Sequence, residues 1–135
     1  MKLKYVILAF SLLAVSCSKK FDLADHYDPT LPFKIIHRKL NDDRKFFGDV
    51  LTYEINQSDT RHAKLVSWLK SNNNGWKKTD HDTYAGLITV HQDDFIMLLY
   101  PDNDMVVIGI DVEGNDMKQF KRDMDSNELM FLVDD

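Results

Sequence analysis

The chain has one cysteine in 135 residues, with five glycines, three prolines and three glutamates. A lone cysteine cannot close an internal disulfide, so packing alone must hold the fold. It also excludes a cysteine-rich metal site. The scarcity of glycine and proline goes with the absence of any low-complexity tract, repeat or interdomain linker. No apolar run reaches the roughly 20 residues that span a bilayer. Glutamate is rare because 19 of the 22 acids are aspartate. Aspartate favours turns and caps over helix interiors, which predicts many turns and little helix. Positive charge is the minority sign, with 17 basic residues and a net charge of −5. That balance argues against nucleic acid, whose phosphates demand a basic surface. It also argues against broad binding to anionic headgroups.

The N-terminus is the most specific stretch. Met1-Lys2-Leu3-Lys4-Tyr5 is short and basic, and Val6 to Val15 are ten mostly apolar residues. Ala14-Val15-Ser16 supplies small side chains, and Cys17 follows at once. The order of basic, apolar and small residues is that of a secretory signal peptide. Residues 1–17 resemble the bacterial lipoprotein signal peptides, and Ala14-Val15-Ser16-Cys17 is similar to their lipobox. Ala14 stands where that class usually has leucine, with Leu13 one position earlier. Ala14-Val15-Ser16 also suits an ordinary signal peptidase, and both readings cut before Cys17. The resemblance implies that residues 1–16 are removed and that Cys17 is lipidated. Ser18, in place of aspartate, favours the outer membrane by analogy with enteric sorting. Without Lys2 and Lys4, 15 basic residues face 22 acidic ones, a net charge near −7.

Residues 17–31 read as a lipidated N-terminus and polar tether, and residues 32–135 as one α+β domain. Strand candidates are 33–40 and 46–55, with turn chemistry at Asn41-Asp42-Asp43. Residues 58–72 form the best helix, capped by Ser58 or Asp59. His62, Leu65, Val66, Trp68 and Leu69 share one face, and Asn72-Asn73-Asn74-Gly75 stops it. Trp76 to Thr79 open a meander that continues through 84–91, 95–100 and 105–112, separated by short Asp/Asn/Gly/Pro turns. FIMLLY and MVVIGI are apolar on both faces, so each face needs a cover. Met117, Phe120 and Met124 predict a second short helix over 116–125, and ELMFLV at 128–133 leans to a last strand. The expected fold is α+β, one main helix packed on an antiparallel sheet of four or five strands.

Candidate chemistry is sparse. Thr79-Asp80-His81-Asp82 sets a histidine between carboxylates, but zinc needs three or four converging ligands. Asp111 to Asp116 begins like a calcium loop, yet its sixth and twelfth positions hold Asp116 and Arg122 where glycine and glutamate belong. A hairpin turn explains it better. No serine sits in GxSxG, and Glu54 is the only mild candidate for general acid work. No catalytic residue, metal or cofactor is expected. Trp68 and Trp76 bracket the Asn-rich loop. Trp68 reads as core; Trp76 reads either as a seal on the sheet end or, with Tyr84, as part of an aromatic contact surface. Asp102 and Asp104 would suit a basic partner. The expectation is therefore a non-catalytic envelope lipoprotein whose periplasmic domain binds a protein. One specific version is an immunity protein against a toxin acting in the periplasm. An assembly or structural lipoprotein is the runner-up, and a carrier of a small apolar ligand between sheet and helix the third reading.

Overall fold

In the computed structural model, residues 21–40, 47–80, 87–112 and 116–134 are described. They form seven strands, β1 (Phe33–Leu40), β2 (Phe47–Ile55), β3 (Lys77–Thr79), β4 (Ile88–Gln92), β5 (Phe95–Tyr100), β6 (Met105–Val112) and β7 (Asp116–Asp123). One helix, α1, spans Thr60–Ser71. Short 3-10 turns lie at Leu23–Asp25, Pro101–Asn103 and Ser126–Leu132. All pairings are antiparallel, in the order β2-β1-β4-β5-β6-β7-β3. The α+β class fits, with more strands than the four or five expected.

Local chemistry accounts for the punctuation. Asp59 caps α1, its carboxylate accepting from the Arg61 backbone N–H at 2.9 Å. At the other end both the backbone and side-chain N–H groups of Asn72 donate to the Trp68 carbonyl, and Gly75 takes φ +87°. The β4–β5 hairpin turns through two residues, with Asp93 at φ 46°. Such a tight hairpin turn calls for positive φ, which aspartate tolerates. Asp104 does the same at the β5–β6 connection. The chain then uses α1 to cross from the β2 edge to the β3 edge.

One face of the sheet forms the core. Phe33, Ile35, Ile55, Ile88, Val90, Phe95, Met97, Leu99, Val106 and Ile108 pack against Leu65, Trp68 and Leu69 of α1. Leu23 and the C-terminal Leu129 and Leu132 join the same cluster. Fully burying one such side chain is worth about 1.5–3 kcal/mol. Trp68 is core, as expected, with its indole N–H donating to Glu128 Oε2 at 3.2 Å.

Three expectations need correction. The helix over 116–125 is strand β7: Met117 is exposed while Phe120 packs on the core. Eight register pairs with β6 outweigh a helical spacing of three apolar residues. Residues 128–133 are not a strand. Leu129 and Leu132, three apart, share one side of a 3-10 turn with 3.0 residues per turn, and both are fully buried. Nor is the segment before Phe33 a free tether from residue 21 onward. Phe21 stacks on Phe120 at 3.9 Å between centroids, Leu23 is fully buried, and Tyr27 meets Phe33 and Phe95. Buried Gln92 clamps this segment: its Oε1 accepts from Asp28 N–H at 2.6 Å and its Nε2 donates to Asp28 O at 2.9 Å. Asn73 Oδ1 accepts from Ala24 N–H.

Candidate partner-binding face

Strand alternation sends every second side chain to the other face of the sheet. On β5 these are Ile96, Leu98 and Tyr100, all half-buried. The register aligns them with Gly109, Val107 and Met105 of β6. Beyond them β4 contributes Thr89 and His91, and β1 contributes Ile36. None of these side chains belongs to the main core cluster. Leu23, Leu65, Trp68, Leu69, Leu129 and Leu132 all lie in that cluster. The described helix and the first and last 3-10 turns therefore cover only the first face.

The second face has an apolar centre and a polar rim. Val107 is 1% exposed, flanked across the strands by Leu98 and Lys121. Met117 lies over Gly109, where an added Cβ would stand 2.7 Å from its sulfur. Burial pushes the Tyr100 phenol above its ordinary pKa, which fits apolar surroundings. Around this centre stand Lys34 opposite Glu54, and Arg38, whose Nη1 donates to Thr89 Oγ1 at 2.9 Å. On the β2 edge Val50 is 53% exposed.

Of the residues singled out in the sequence, Trp76, Asp102 and Asp104 fall around one end of this sheet. Asp102 and Asp104 are exposed in the β5–β6 connection, and the Asp104 carbonyl accepts from Met124 N–H at 2.8 Å. Trp76 precedes Lys77, which pairs with Lys121 of β7. One strand, β7, thus separates the Trp76 side from the Asp104 side. Trp76 is half-buried against the core, and its indole N–H donates to the Asn72 carbonyl at 2.7 Å. That geometry seals the sheet end instead of offering a free anchor. Tyr84 and Cys17 lie outside the described residues, as do His81 and Asp82. Among the described residues no group of three His, Cys, Asp or Glu converges as a metal site, and no helix is long and apolar enough to cross a membrane.

Sequence reasoning missed the second face as a unit. Its signal was present in FIMLLY and MVVIGI, but which of their residues share a face follows only from the register.

Compared with protein-family models, curated proteins and solved structures, the chain matches none.

Proposed function

We propose that the chain is a non-catalytic bacterial envelope lipoprotein, held by lipid on Cys17, whose domain binds a protein partner. One observation carries this reading: the second sheet face has an apolar centre bordered on its β1–β2 side by Lys34, Arg38 and Glu54, and no described helix lies on it. An apolar centre with a polar rim is the anatomy of a protein interface. Anchored in the outer membrane, the domain would face the periplasm. The specific version is an immunity protein, a tethered inhibitor of a basic toxin. Exposed Asp102 and Asp104, at the end of the strands that form the apolar centre, supply complementary charge. The assembly role uses the same face with a resident envelope partner. The carrier reading is not favoured, because Leu65, Leu69, Met97 and Ile108 fill the space between helix and sheet.

The test is affinity capture with the immobilised mature chain and, in parallel, its Leu98→Glu variant. Envelope extract and the secreted proteins of the same strain pass over both. A stoichiometric protein retained by the wild type and lost by the variant supports the reading. A secreted partner points to immunity and a resident one to assembly. Equal retention by both removes the second face from the account.

A further inference from the structure

The fold segregates its charge. β3 and β7 carry Lys77, Lys78, Lys118, Lys121 and Arg122 against Asp116 and Asp123. Five cations against two carboxylates make this edge +3, in a chain of net charge −5. The register places Lys77 directly opposite Lys121. Like charges facing each other across an antiparallel pair are destabilising. Lysine on β3 also guards an open sheet edge against pairing. That does not account for Lys121, which has strand partners on both sides, Lys77 and Val107. None of the five cations forms an ion pair with a described residue. Arg122 gives one guanidinium N–H to the Asn74 carbonyl at 2.8 Å.

The chain enters the fold at this same edge, since Phe21 is stacked on Phe120 of β7. In the sequence Cys17 is four positions before Phe21, and Lys19 and Lys20 lie between them. Four extended residues reach at most about 14 Å. A lipid on Cys17 therefore holds the β3–β7 edge close to the bilayer. That reach is an upper limit, and wherever the edge comes within a Debye length of the headgroups, about 8 Å at physiological ionic strength, their charge acts on these lysines. The β2 edge lies six strand spacings away, roughly 29 Å across the sheet.

We infer that the β3–β7 edge is a membrane-apposed surface that binds anionic phospholipid headgroups and so orients the domain on its anchor. The inference rests on lipidation of Cys17. Juxtamembrane lysines are drawn to anionic headgroups, and the attraction weakens with salt. Anchor and cationic edge together turn the β2 edge, with exposed Val50 and Leu51, toward the periplasm.

The test uses the full chain, exported and processed in bacteria, then reconstituted into phosphatidylcholine vesicles with or without phosphatidylglycerol. Cys17 is the only cysteine, and acylation blocks its thiol. A single added cysteine, Thr79→Cys on β3 or Thr52→Cys on β2, then takes a fluorophore at one site. Both positions lie on the second face, at opposite edges. A quencher on lipid headgroups should dim the β3 probe several-fold more than the β2 probe. The contrast should grow with phosphatidylglycerol and shrink with salt. Lys78→Glu combined with Lys121→Glu should abolish the effect of phosphatidylglycerol without lowering the melting temperature, because Lys121→Glu removes the Lys77 repulsion. Equal quenching at the two edges, or a β3 signal that ignores the charge reversal, overturns the inference. If the wild-type chain itself takes the thiol label, the lipidation reading fails instead, and the two failures are told apart.

Discussion

Phe95, Met97 and Leu99 on one side of β5 are buried to within 1% of complete, while Ile96, Leu98 and Tyr100 on the other side are only half-buried. Both sets are apolar, and both sit in the middle of a seven-stranded sheet. What differs is their cover: α1, the N-terminal strap and the C-terminal 3-10 turn pack on the first set, and no described helix packs on the second. One strand therefore has two unlike faces. Its first face is fully buried under described elements, and its second is half-buried with no described helix on it.

The sharpest way to break that comparison is to truncate neighbours on the same strand. Met97→Ala removes a fully buried side chain and should cost about 2–5 kcal/mol. Leu98→Ala removes a half-buried one and should cost about 1 kcal/mol in urea unfolding. Equal losses would mean that the second face is as much core as the first. The strap comes next. Gln92→Ala leaves the Asp28 backbone groups without their clamp and should cost about 1–3 kcal/mol. It should also speed amide exchange over residues 22–31. Unchanged exchange there would make the strap independent of Gln92.

A smaller effect is expected where the second face is tightest. Gly109→Ala places a Cβ against the Met117 sulfur, but Met117 is 46% exposed and can swing aside. The cost should be about 1 kcal/mol, and Met117→Ala should relieve most of it in a double-mutant cycle. An undiminished cost in the double variant would put the strain in the backbone. The smallest effect concerns His37, at the far end of the first face beside exposed Leu51. Burial, and then the nearby Lys39 charge, hold the His37 pKa below its ordinary value. As pH falls through about 6.5, the unfolded chain takes up a proton that the folded chain refuses. Stability should therefore decline from neutrality and level off below the folded pKa, and His37→Gln should flatten the decline in thermal melts from pH 7.5 to 5.

Much of the fold was legible because local rules and tertiary packing agree there. β1, β5 and β6 coincide with their expected spans, and α1 begins at its aspartate cap. The failures differ in cause, and in one of them long-range pairing overrode a local pattern. Met117, Phe120 and Met124 have helical spacing, yet β6 offers a full ladder of partners. Phe21, Leu23 and Tyr27 have no regular period, so their role as a strap across the core left no mark in the sequence. The candidate face was half legible. Its doubly apolar strands were visible, but the rim formed by Lys34, Arg38 and Glu54 depends on β1 lying beside β4. The segregation of lysines onto β3 and β7 was hidden for the same reason, since residues 77–78 and 118–122 are far apart in sequence.

The most direct measurement is site-specific photo-crosslinking in growing cells. A photoreactive residue is placed at Leu98 on the second face or at Ala63 on the exposed side of α1. The account predicts one discrete crosslinked product from position 98 and none from position 63. No product from position 98, or the same products from both, would contradict the claim that the second sheet face is where a partner binds.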